Sequence, residues 1–504
     1  MSDSFSRIAQ LVEKNAEWYA HDLALIDSDG AELNWLAYLN GVNEFATLLK
    51  SQGAGKGDRI LIVAENCAPV VLCIFAATQL GAIAVPVNAR MSAAEVQAIQ
   101  SHANPKVVVY TSSVSVAASK HADASQATEQ ITTHGAIRLT RCDSCLKVSD
   151  DHLGSTAVIL YTTGTTGDPK GVMLTHENLL FAAGASMKLR SITNKDRLYG
   201  ALPLSHVFGV ASVIMASAAA GACVQLETRF KPEHLYQALQ KGITVLPAVP
   251  QMQALLMQDT EENNIAGIHC PRLRYVSSGA APLDPAWKRK AEKFYGLALQ
   301  NGYGMTESTA GISATNHAIG NPDISVGEPL EGIEVRIDTS SKEHEPNTEG
   351  EILTRGPHVM RGYFNNVNAT LQAIDSSGYL RTGDIGYIDE SGLLHISGRC
   401  KELIIRGGFN VYPPEVEAAI NHHPEVVQCA VIGKTLETAN EDILAFVQCL
   451  GDSTLNEAEL KGFVTDCIAP YKIPTKFIIV DSLPAAATGK ILKHKLLDVF
   501  ADKI

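Results

Sequence analysis

One loop rich in glycine and threonine, residues 161–171, most constrains what this chain can fold into. The apolar residues 157–160 precede it and residues 172–174 follow it, so the pattern predicts strand, loop, strand. Glycines let the backbone amides turn toward an anion, threonine hydroxyls add short donors, and Lys170 adds a positive charge. This chemistry suits a triphosphate. The loop is not a Walker A sequence, because glycine follows Lys170 where that motif has serine or threonine.

The composition is that of a globular protein with more than one core, since 504 residues exceed what one core fills. A net charge of −13 argues against a nucleic-acid surface and requires local positive sites for any polyanionic ligand. The cysteines include one CxxC pair, Cys142 and Cys145, with no second pair or nearby histidine to complete a zinc site. Coincidence is the simpler interpretation of that pair, and a redox or metal role is the alternative.

No segment predicts secretion or membrane insertion. The first residues lack the basic region and apolar core of a signal peptide, and a reduced, cytoplasmic protein is expected. The apolar run 68–87 imitates a membrane span, but Pro69, Gln79, Gly81 and Pro86 interrupt it. The run is therefore predicted to form a buried helix followed by a buried strand.

Apolar strands that alternate with helices predict an α/β protein with mainly parallel sheets covered on both faces. Residues 112–150 have weak periodicity and are predicted to be surface connections. Short alternating runs over residues 324–398 predict a small antiparallel β portion. A compact α+β sequence follows, with a last helix predicted over residues 490–501. The simplest division is a large N-terminal domain, residues 1–398, with a small domain behind it.

The loop at residues 161–171 resembles the phosphate loop of the adenylate-forming enzymes, the superfamily of acyl-CoA synthetases, peptide-synthetase adenylation domains and luciferases. The alternative, a solvated Gly/Thr turn, would be favoured for a shorter match. The resemblance, closest to the acyl-CoA and aryl-CoA synthetase branch, implies that the loop binds the phosphates of ATP. The residues expected to do so are Thr162, Thr163, Gly164, Thr165, Thr166 and Lys170, with Thr162 also near Mg²⁺.

A second motif, residues 301–307, follows a predicted strand. Glycines on both sides of Tyr303 let the backbone pass close to a flat ligand, and Glu307 is a hard carboxylate suited to Mg²⁺. In the family this motif places the tyrosine against adenine, Thr306 near the α-phosphate and the glutamate on magnesium. A turn with a solvated glutamate is the alternative. The resemblance also places Asn301, Gly302, Gly279, Ala280 and Ala281 in the adenine and acyl pocket. For Gly279, Ala280 and Ala281 the alternative is that small side chains are needed there only for packing.

Asp384 ends the hexapeptide 379–384, and the family's matching aspartate accepts hydrogen bonds from the ribose diol. A turn residue is the alternative. Residues 399–401 resemble the family's hinge, with Arg399 reaching ribose or phosphate and Lys401 at the hinge position proper, where aspartate is frequent in relatives. This places a small, mobile C-terminal domain at residues 402–504, in which Gly407 and Gly408 match the loop that lines the family's thiol tunnel.

Lys490 lies in a segment, residues 488–491, that matches the family's catalytic-lysine motif. Its ammonium is expected to contact carboxylate and phosphate oxygens and to stabilise the charge of the in-line transition state. An exposed lysine at a helix start is the alternative. The preceding residues 483–487 depart from the family pattern, because alanines stand where a basic residue and a threonine are common.

The segment matching the family's acid site, residues 202–212, contains no carboxylate to pair a substrate ammonium, which argues against amino acids. His206 matches the family's aromatic or histidine gate, with a core histidine as the alternative, and Phe208 lies near the mouth of the pocket. Ser212 matches a serine that meets the phenol in plant hydroxycinnamate ligases, and Gly302 leaves the pocket floor open. For the acceptor, Tyr471 and Lys472 match a segment where an aromatic side chain stacks on CoA adenine and cations meet its phosphates.

The resemblance covers nearly the whole chain and implies an ATP-dependent, Mg²⁺-requiring carboxylic acid–CoA ligase. It implies two steps, acyl-AMP plus pyrophosphate and then acyl-CoA plus AMP, with the small domain changing position between them. Medium or long fatty acids, or aryl acids such as cinnamates and benzoates, are the expected substrates. Two alternatives stay open: an acyl-AMP ligase that transfers to a carrier protein, and a catalytically silent adenylate-binding protein.

Overall fold

The structure is a computed structural model. It describes residues 5–142, 155–163, 169–265, 268, 270–279, 283–339, 347–399, 402–406, 409–435, 441–451, 453–465, 467–485 and 491–504.

The strands build two large sheets, a smaller antiparallel sheet and a C-terminal α+β unit. In chain order they are β1 (Leu23–Ile26), β2 (Glu32–Asn34), β3 (Arg59–Ala64), β4 (Ile83–Asn88), β5 (Val107–Tyr110), β6 (Thr128–Thr132), β7 (Gly135–Arg141), β8 (Thr156–Thr163), β9 (Pro169–Thr175), β10 (Arg197–Gly200), β11 (Cys223–Leu226), β12 (Val245–Ala248), β13 (Tyr275–Gly279), β14 (Leu299–Tyr303), β15 (Ser313–Ala314), β16 (Glu328–Pro329), β17 (Glu334–Asp338), β18 (Gly350–Arg355), β19 (Gly362–Tyr363), β20 (Leu380–Ile388), β21 (Leu394–Arg399), β22 (Ile404–Arg406), β23 (Phe409–Val411), β24 (Val426–Thr435), β25 (Glu441–Cys449) and β26 (Lys476–Val480).

The helices cover the sheets. In chain order they are α1 (Ala9–Trp18), α2 (Trp35–Ser51), α3 (Ala68–Gln79), α4 (Ala93–Ala103), α5 (Val116–Ala124), α6 (His176–Leu189), α7 (Val207–Gly209), α8 (Ala216–Ala220), α9 (Pro232–Gln240), α10 (Pro250–Glu262), α11 (Pro285–Tyr295), α12 (Val367–Ala373), α13 (Pro413–Asn421), α14 (Glu457–Thr465) and α15 (Leu496–Val499).

The sheet order confirms the predicted α/β class. The nine-stranded sheet runs β16-β15-β14-β13-β12-β10-β11-β1-β2, and the eight-stranded sheet runs β19-β9-β8-β4-β3-β5-β7-β6. Their central strands pair in parallel, as β10 does with β11 and β12, and as β3 does with β4 and β5. Strands β17, β18, β20 and β21 form the antiparallel portion predicted over residues 324–398. The C-terminal unit holds a three-stranded sheet, β24-β25-β26.

The apolar run 68–87 forms α3 and β4, as predicted. Every residue of α3 from Ala68 to Thr78 is buried, and every residue of the neighbouring β3 is buried as well. A strand buried on both faces needs continuous rather than alternating apolar residues, which explains the uninterrupted pattern. Within the described residues, no helix is long and apolar enough to cross a membrane.

Two expectations about local structure are wrong. Residues 112–142 are not mere connections: they form α5 and the hairpin of β6 and β7, which extends the eight-stranded sheet through β5. The last helix does not span residues 490–501, because Ile491 pairs with Ala485 as an isolated β-bridge and keeps the backbone extended there. A 3₁₀ turn at Lys493–Lys495 and the short α15 follow instead.

Two buried histidines make the fold sensitive to acid. His176 Nδ1 accepts a hydrogen bond from the Ile8 amide at 3.3 Å, and His358 Nε2 lies 2.8 Å from Thr354 Oγ1. Burial lowers the pKa of each histidine to about 4. An unfolded histidine titrates near 6.5, so the unfolded chain binds more protons between these values and stability falls as the pH drops from 6.5 toward 4. We expect a loss of about 2 kcal/mol per histidine at pH 5.

Unfolding by urea at pH 7, 6 and 5 measures this loss. The variant His176→Gln should show a shallower decrease in the free energy of unfolding over that range, whereas replacing the exposed His21 by Gln should leave the decrease unchanged. An equal pH dependence in all three proteins would contradict the assignment to buried histidines.

Candidate active site

The described ends of the loop at residues 161–171 lie in two strands, with residues 161–163 in β8 and residues 169–171 in β9. Strands β8 and β9 pair antiparallel, with Thr162 opposite Lys170 and Tyr161 opposite Gly171. A side chain at position 171 would not fit, because a Cβ atom there would lie 2.9 Å from Ile159 Cγ2. The hairpin thus presents the hydroxyl-bearing Thr162 and the cationic Lys170 on neighbouring strands at the base of the loop.

Glu307 lies in a buried 3₁₀ turn, Thr306–Ser308. Its Oε1 accepts a hydrogen bond of 2.9 Å from the hydroxyl of Tyr363, which belongs to β19. The ammonium of Lys170 lies 5.2 Å from the centroid of the same tyrosine ring. The structure therefore brings the predicted residues Glu307 and Lys170 to one tyrosine that the sequence analysis missed.

Asp384 accepts hydrogen bonds at the junction of two sheets. Its Oδ2 accepts from the Tyr303 hydroxyl at 2.6 Å, and Arg399 Nε lies 3.0 Å from its Oδ1. Asp384 is buried, and it faces Arg399 across the β20–β21 pair. Burial, together with the nearby Asp384 carboxylate, raises the pKa of Tyr303 well above its usual value, so the phenol donates. Three predicted nucleotide-binding residues are thus in direct contact.

The predicted pocket residues around the two central strands also come together. Gly279 and Gly302 are opposite each other where β13 and β14 run in parallel. A Cβ atom on Gly279 would lie 3.1 Å from the ring of Phe208, so that ring covers the strand end. His206 caps α7 by accepting a hydrogen bond of 3.2 Å from the amide of Phe208 on Nδ1. Phe208, Gly279 and Gly302 thus lie together at the carboxyl ends of β13 and β14.

Two predicted residues have structural partners of their own. Asn301 is buried, and its side chain donates to the Ser325 carbonyl at 3.0 Å. Ser212 lies in a π-helical segment, Val210–Met215, and its carbonyl accepts a hydrogen bond of 2.5 Å from Arg190. These contacts hold the pocket walls, and the ligand roles of both residues stay predictions.

The C-terminal unit holds Tyr471 and Lys472 in a 3₁₀ turn. The ammonium of Lys472 forms an ion pair with Glu415 and lies 5.5 Å from the Tyr471 ring. The predicted cation is therefore already neutralised by a carboxylate here. Several predicted residues lie outside the described part of the chain: Gly164, Thr165, Thr166, Ala280, Ala281, Lys401, Gly407, Gly408 and Lys490, together with Cys145 and the side chain of Thr163.

A cavity of about 240 Å³ opens beside Ser205, the residue before His206. It lies where strands of both large sheets end, the edge at which parallel sheets bind ligands. Its lining is a mixture of polar and apolar groups and includes the charged residues Glu65, Arg90 and Arg229. Arg229 donates to both oxygens of the buried Glu65, at 2.7 and 3.0 Å, and Arg90 lies 3.5 Å from it. With two cations to one carboxylate, the cavity carries a net positive charge.

Glu65 stays ionised despite its burial. Burial alone would raise the pKa of its carboxyl, but hydrogen bonds from Arg229 and Ser115 and the charge of Arg90 lower that pKa below its usual value. Sequence reasoning missed this cluster, because Glu65 and Arg229 are separated by 164 positions and neither belongs to a recognised motif.

The residues present fit a magnesium ion that is shared with a nucleotide. Among the described residues, no group of three or more His, Cys, Asp or Glu side chains could hold a metal by itself. Mg²⁺ commonly takes one or two carboxylates and completes its shell with phosphate oxygens and water. Glu307, buried and oriented by Tyr363, supplies a carboxylate of this kind near Lys170.

Comparison with known proteins gives consistent matches over nearly the whole chain. The family model described as AMP-binding enzyme matches residues 12–364, and the AMP-binding enzyme C-terminal domain matches residues 415–490. A 2-succinylbenzoate–CoA ligase of Bacillus licheniformis is 31% identical over 491 residues, which are 96% of this chain and 98% of that protein. The long-chain-fatty-acid–CoA ligase FadD13 of Mycobacterium tuberculosis is 32% identical over 484 residues, 94% of this chain and 93% of that protein. One similar solved structure is O-succinylbenzoate coenzyme A synthetase (MenE) from Bacillus subtilis, in complex with ATP and magnesium ion. Its TM-score is 0.81 at 29% sequence identity, and the match covers 96% of this chain and 98% of that one.

Proposed function

Because this chain belongs to the AMP-binding enzymes and is an ATP-dependent, AMP-forming carboxylic acid–CoA ligase, we propose that its acid is an aryl acid or a medium- or long-chain fatty acid. ATP and CoA are its other substrates, and Mg²⁺ is its metal. The single observation that carries the proposal is that the ring of Phe208 lies against Gly279 at the end of β13, where Gly279 is opposite Gly302 of β14.

The proposed nucleotide site follows from the contacts. The hairpin of β8 and β9 holds the β- and γ-phosphates, with Thr162 and Lys170 at its base. Asp384 accepts hydrogen bonds from the ribose hydroxyls. These bonds replace or accompany the one from the Tyr303 hydroxyl, and Arg399 remains beside Asp384. When bound, Mg²⁺ neutralises phosphate charge next to Glu307. These assignments are supported by two groups of contacts, one that joins Lys170, Tyr363 and Glu307 and one that joins Tyr303, Asp384 and Arg399.

The first step forms a bond between a carboxylate oxygen of the acid and the α-phosphorus of ATP, and it breaks the bond to the departing pyrophosphate. Thr306, buried at the start of the 3₁₀ turn beside Glu307, is proposed to donate to the α-phosphate. Lys490 is proposed to contact both reacting anions, so that negative charge on the transition state meets a fixed cation. The division into residues 1–398, a hinge at 399–401 and a mobile unit at 402–504 belongs to the same proposal.

The second step transfers the acyl group to the CoA thiol and releases AMP. We propose that the cavity beside Ser205 is the route by which the thiol arm reaches the acyl carbon near His206. The arm of CoA carries amide groups on short hydrocarbon segments and ends in phosphates, so it suits a cavity of mixed polar and apolar lining that includes Arg90 and Arg229. Gly407, Gly408, Tyr471 and Lys472 of the C-terminal unit would cover it after that unit has turned.

We propose that the acid site accepts a ring or a chain. Gly302 leaves the floor open, since the nearest atom to a Cβ placed there is the Ser313 carbonyl oxygen at 3.6 Å. Ser212 is the candidate partner for a ring hydroxyl of an aryl acid. The names of the relatives include both an aryl and a fatty acid, which supports testing both classes.

A panel of fatty, benzoic, cinnamic and succinylbenzoic acids, assayed for pyrophosphate release with ATP and Mg²⁺, tests the proposal. We expect release only with an acid of the aryl or fatty class, and we expect CoA to accelerate the release of AMP afterwards. A preference for short, polar acids would overturn the proposed substrate class. If a carrier protein accelerated the release of AMP and CoA did not, the assignment of CoA as the acyl acceptor would be wrong. The cytoplasmic location stays a prediction.

A further inference from the structure

Residues 358–364 connect the two halves of the proposed phosphate site. The Phe364 amide donates to the Gly171 carbonyl at 2.7 Å, so this segment is bound along β9, next to Lys170. At its other end, the Met360 amide donates to the Glu307 carbonyl at 2.8 Å. One short segment is therefore hydrogen-bonded to the hairpin of the phosphate loop and to the turn that carries Glu307.

The side chain of Tyr363 makes the same connection a second time. Its hydroxyl donates to Glu307 Oε1 at 2.9 Å, and its ring lies 5.2 Å from the ammonium of Lys170. Burial, together with the nearby Glu307 carboxylate, raises the pKa of Tyr363, so the phenol stays protonated and donates at neutral pH. A cation against a ring face is itself a favourable contact. Tyr363 thus touches both charged groups that face the phosphates in the proposed site.

A hydrogen bond to one carboxylate oxygen fixes how the other oxygen points. Among the described residues, no hydrogen bond to Glu307 Oε2 is found, so that oxygen is available to a cation. Groups that hold a metal-binding carboxylate from behind commonly change metal affinity or activity by about 10- to 100-fold when they are removed.

We propose that Tyr363 is a positioning residue, which orients Glu307 toward Mg²⁺·ATP and keeps Lys170 next to it. The inference rests on the proposed function, because it requires Glu307 to meet the metal. It extends that function to a residue that touches neither substrate nor metal and acts through Glu307 and Lys170.

The variant Tyr363→Phe tests the proposal, because it removes the hydroxyl and keeps the ring under Lys170. ATP binding is measured by calorimetry with saturating Mg²⁺, with limiting Mg²⁺ and with chelator. We expect about a 10-fold increase in the Mg²⁺ concentration needed for half-maximal tight ATP binding, with unchanged binding in chelator. The Mg²⁺ dependence of pyrophosphate release should shift by the same factor.

The matched control is Tyr379→Phe. Tyr379 also donates to a glutamate, Glu334, at 3.0 Å and also lies beneath cations, with Arg336 and Arg355 each 4.6 Å from its ring centroid. It stands next to the four-stranded sheet rather than beside Glu307. Loss of the Tyr379 hydroxyl should change the thermal stability slightly and leave the Mg²⁺ concentration required for tight ATP binding unchanged.

A double variant separates positioning from general stability. When Glu307→Ala is already present, adding Tyr363→Phe should change Mg²⁺-dependent ATP binding by less than about twofold, because coupled residues are not additive. An unchanged Mg²⁺ requirement in Tyr363→Phe alone, or a full further loss in the double variant, would overturn the inference. If the unaltered enzyme released no pyrophosphate with any acid, the proposed function would fail instead.

Discussion

Lys490→Ala should lower the rate of acyl-AMP formation by about 100- to 1000-fold, the size of effect expected when one fixed donor to a developing charge is removed. In the second step the thiol attacks the acyl carbon and AMP leaves, so charge develops on the carbonyl oxygen and the departing AMP rather than on an α-phosphoryl group under in-line attack. The rate of acyl-CoA formation from supplied acyl-AMP should therefore fall less than about 10-fold. Pyrophosphate release measures the first step, and acyl-CoA formation from synthetic acyl-AMP measures the second.

The exposed Lys461 on α14 provides a matched charge removal in the same unit. Lys461→Ala should leave both rates unchanged. Equal losses in the two steps of Lys490→Ala would remove the role assigned to that lysine and would indicate damage to the C-terminal unit instead.

Gly304→Ala should unfold the loop that carries Thr306 and Glu307. A Cβ atom at position 304 would lie 1.3 Å from the Ala310 carbonyl oxygen, so the backbone of the loop must move to accept it. Ala310 already has a φ of +82°, which is a strained conformation for a residue with a side chain. Moving its backbone away from the added Cβ atom would therefore cost further free energy. Overpacking usually lowers the free energy of unfolding by about 1–3 kcal/mol, and by more where the backbone must shift. We therefore expect Gly304→Ala to lower the free energy of unfolding by more than that range. Thermal unfolding and ATP binding both measure it.

Gly302→Ala is the matched control for stability, because the nearest atom to its added Cβ would be a carbonyl oxygen at 3.6 Å. This variant should keep the melting temperature and instead reduce the activity with bulky acids. If Gly304→Ala bound ATP as tightly as the unaltered protein, the steric argument would be wrong.

The elements that could be predicted from the sequence are those with long, one-sided or fully apolar patterns. Helix α3 and strand β4 match the buried helix and strand predicted for the run 68–87, since burial on both faces leaves a continuous apolar signal. Strand β7 was missed because only Ile137 and Leu139 are buried in it. Such short alternation is too weak a signal, and the pairing with β5 that stabilises it is a tertiary contact.

Candidate site residues could be named from the sequence where a motif is contiguous, and their contacts across the chain could not be predicted. The roles of Tyr303 and Asp384 were proposed separately, and their hydrogen bond joins positions that are 81 residues apart. Tyr363 was missed because a tyrosine after glycine carries no local signal of a glutamate partner 56 residues earlier. The periodicity of apolar residues indicates which side chains are buried. It does not indicate which distant polar side chains will form hydrogen bonds with each other.

The order of strands also has a consequence for how the protein is made. Strands of the two large sheets interleave along the chain: β1 and β2 join one sheet, β3 to β9 the other, β10 to β16 the first again, and β19 returns to the second. During synthesis, the edge of β9 beside Lys170 must therefore remain without its partner strand until residue 363 has left the ribosome. The eight-stranded sheet is incomplete in a shorter nascent chain, whereas the last strand of the nine-stranded sheet, β16, already ends at residue 329. The proposed nucleotide site is thus among the last parts of the large unit to be assembled, and a truncated chain that ends before β19 lacks two of its residues, Tyr363 and Asp384.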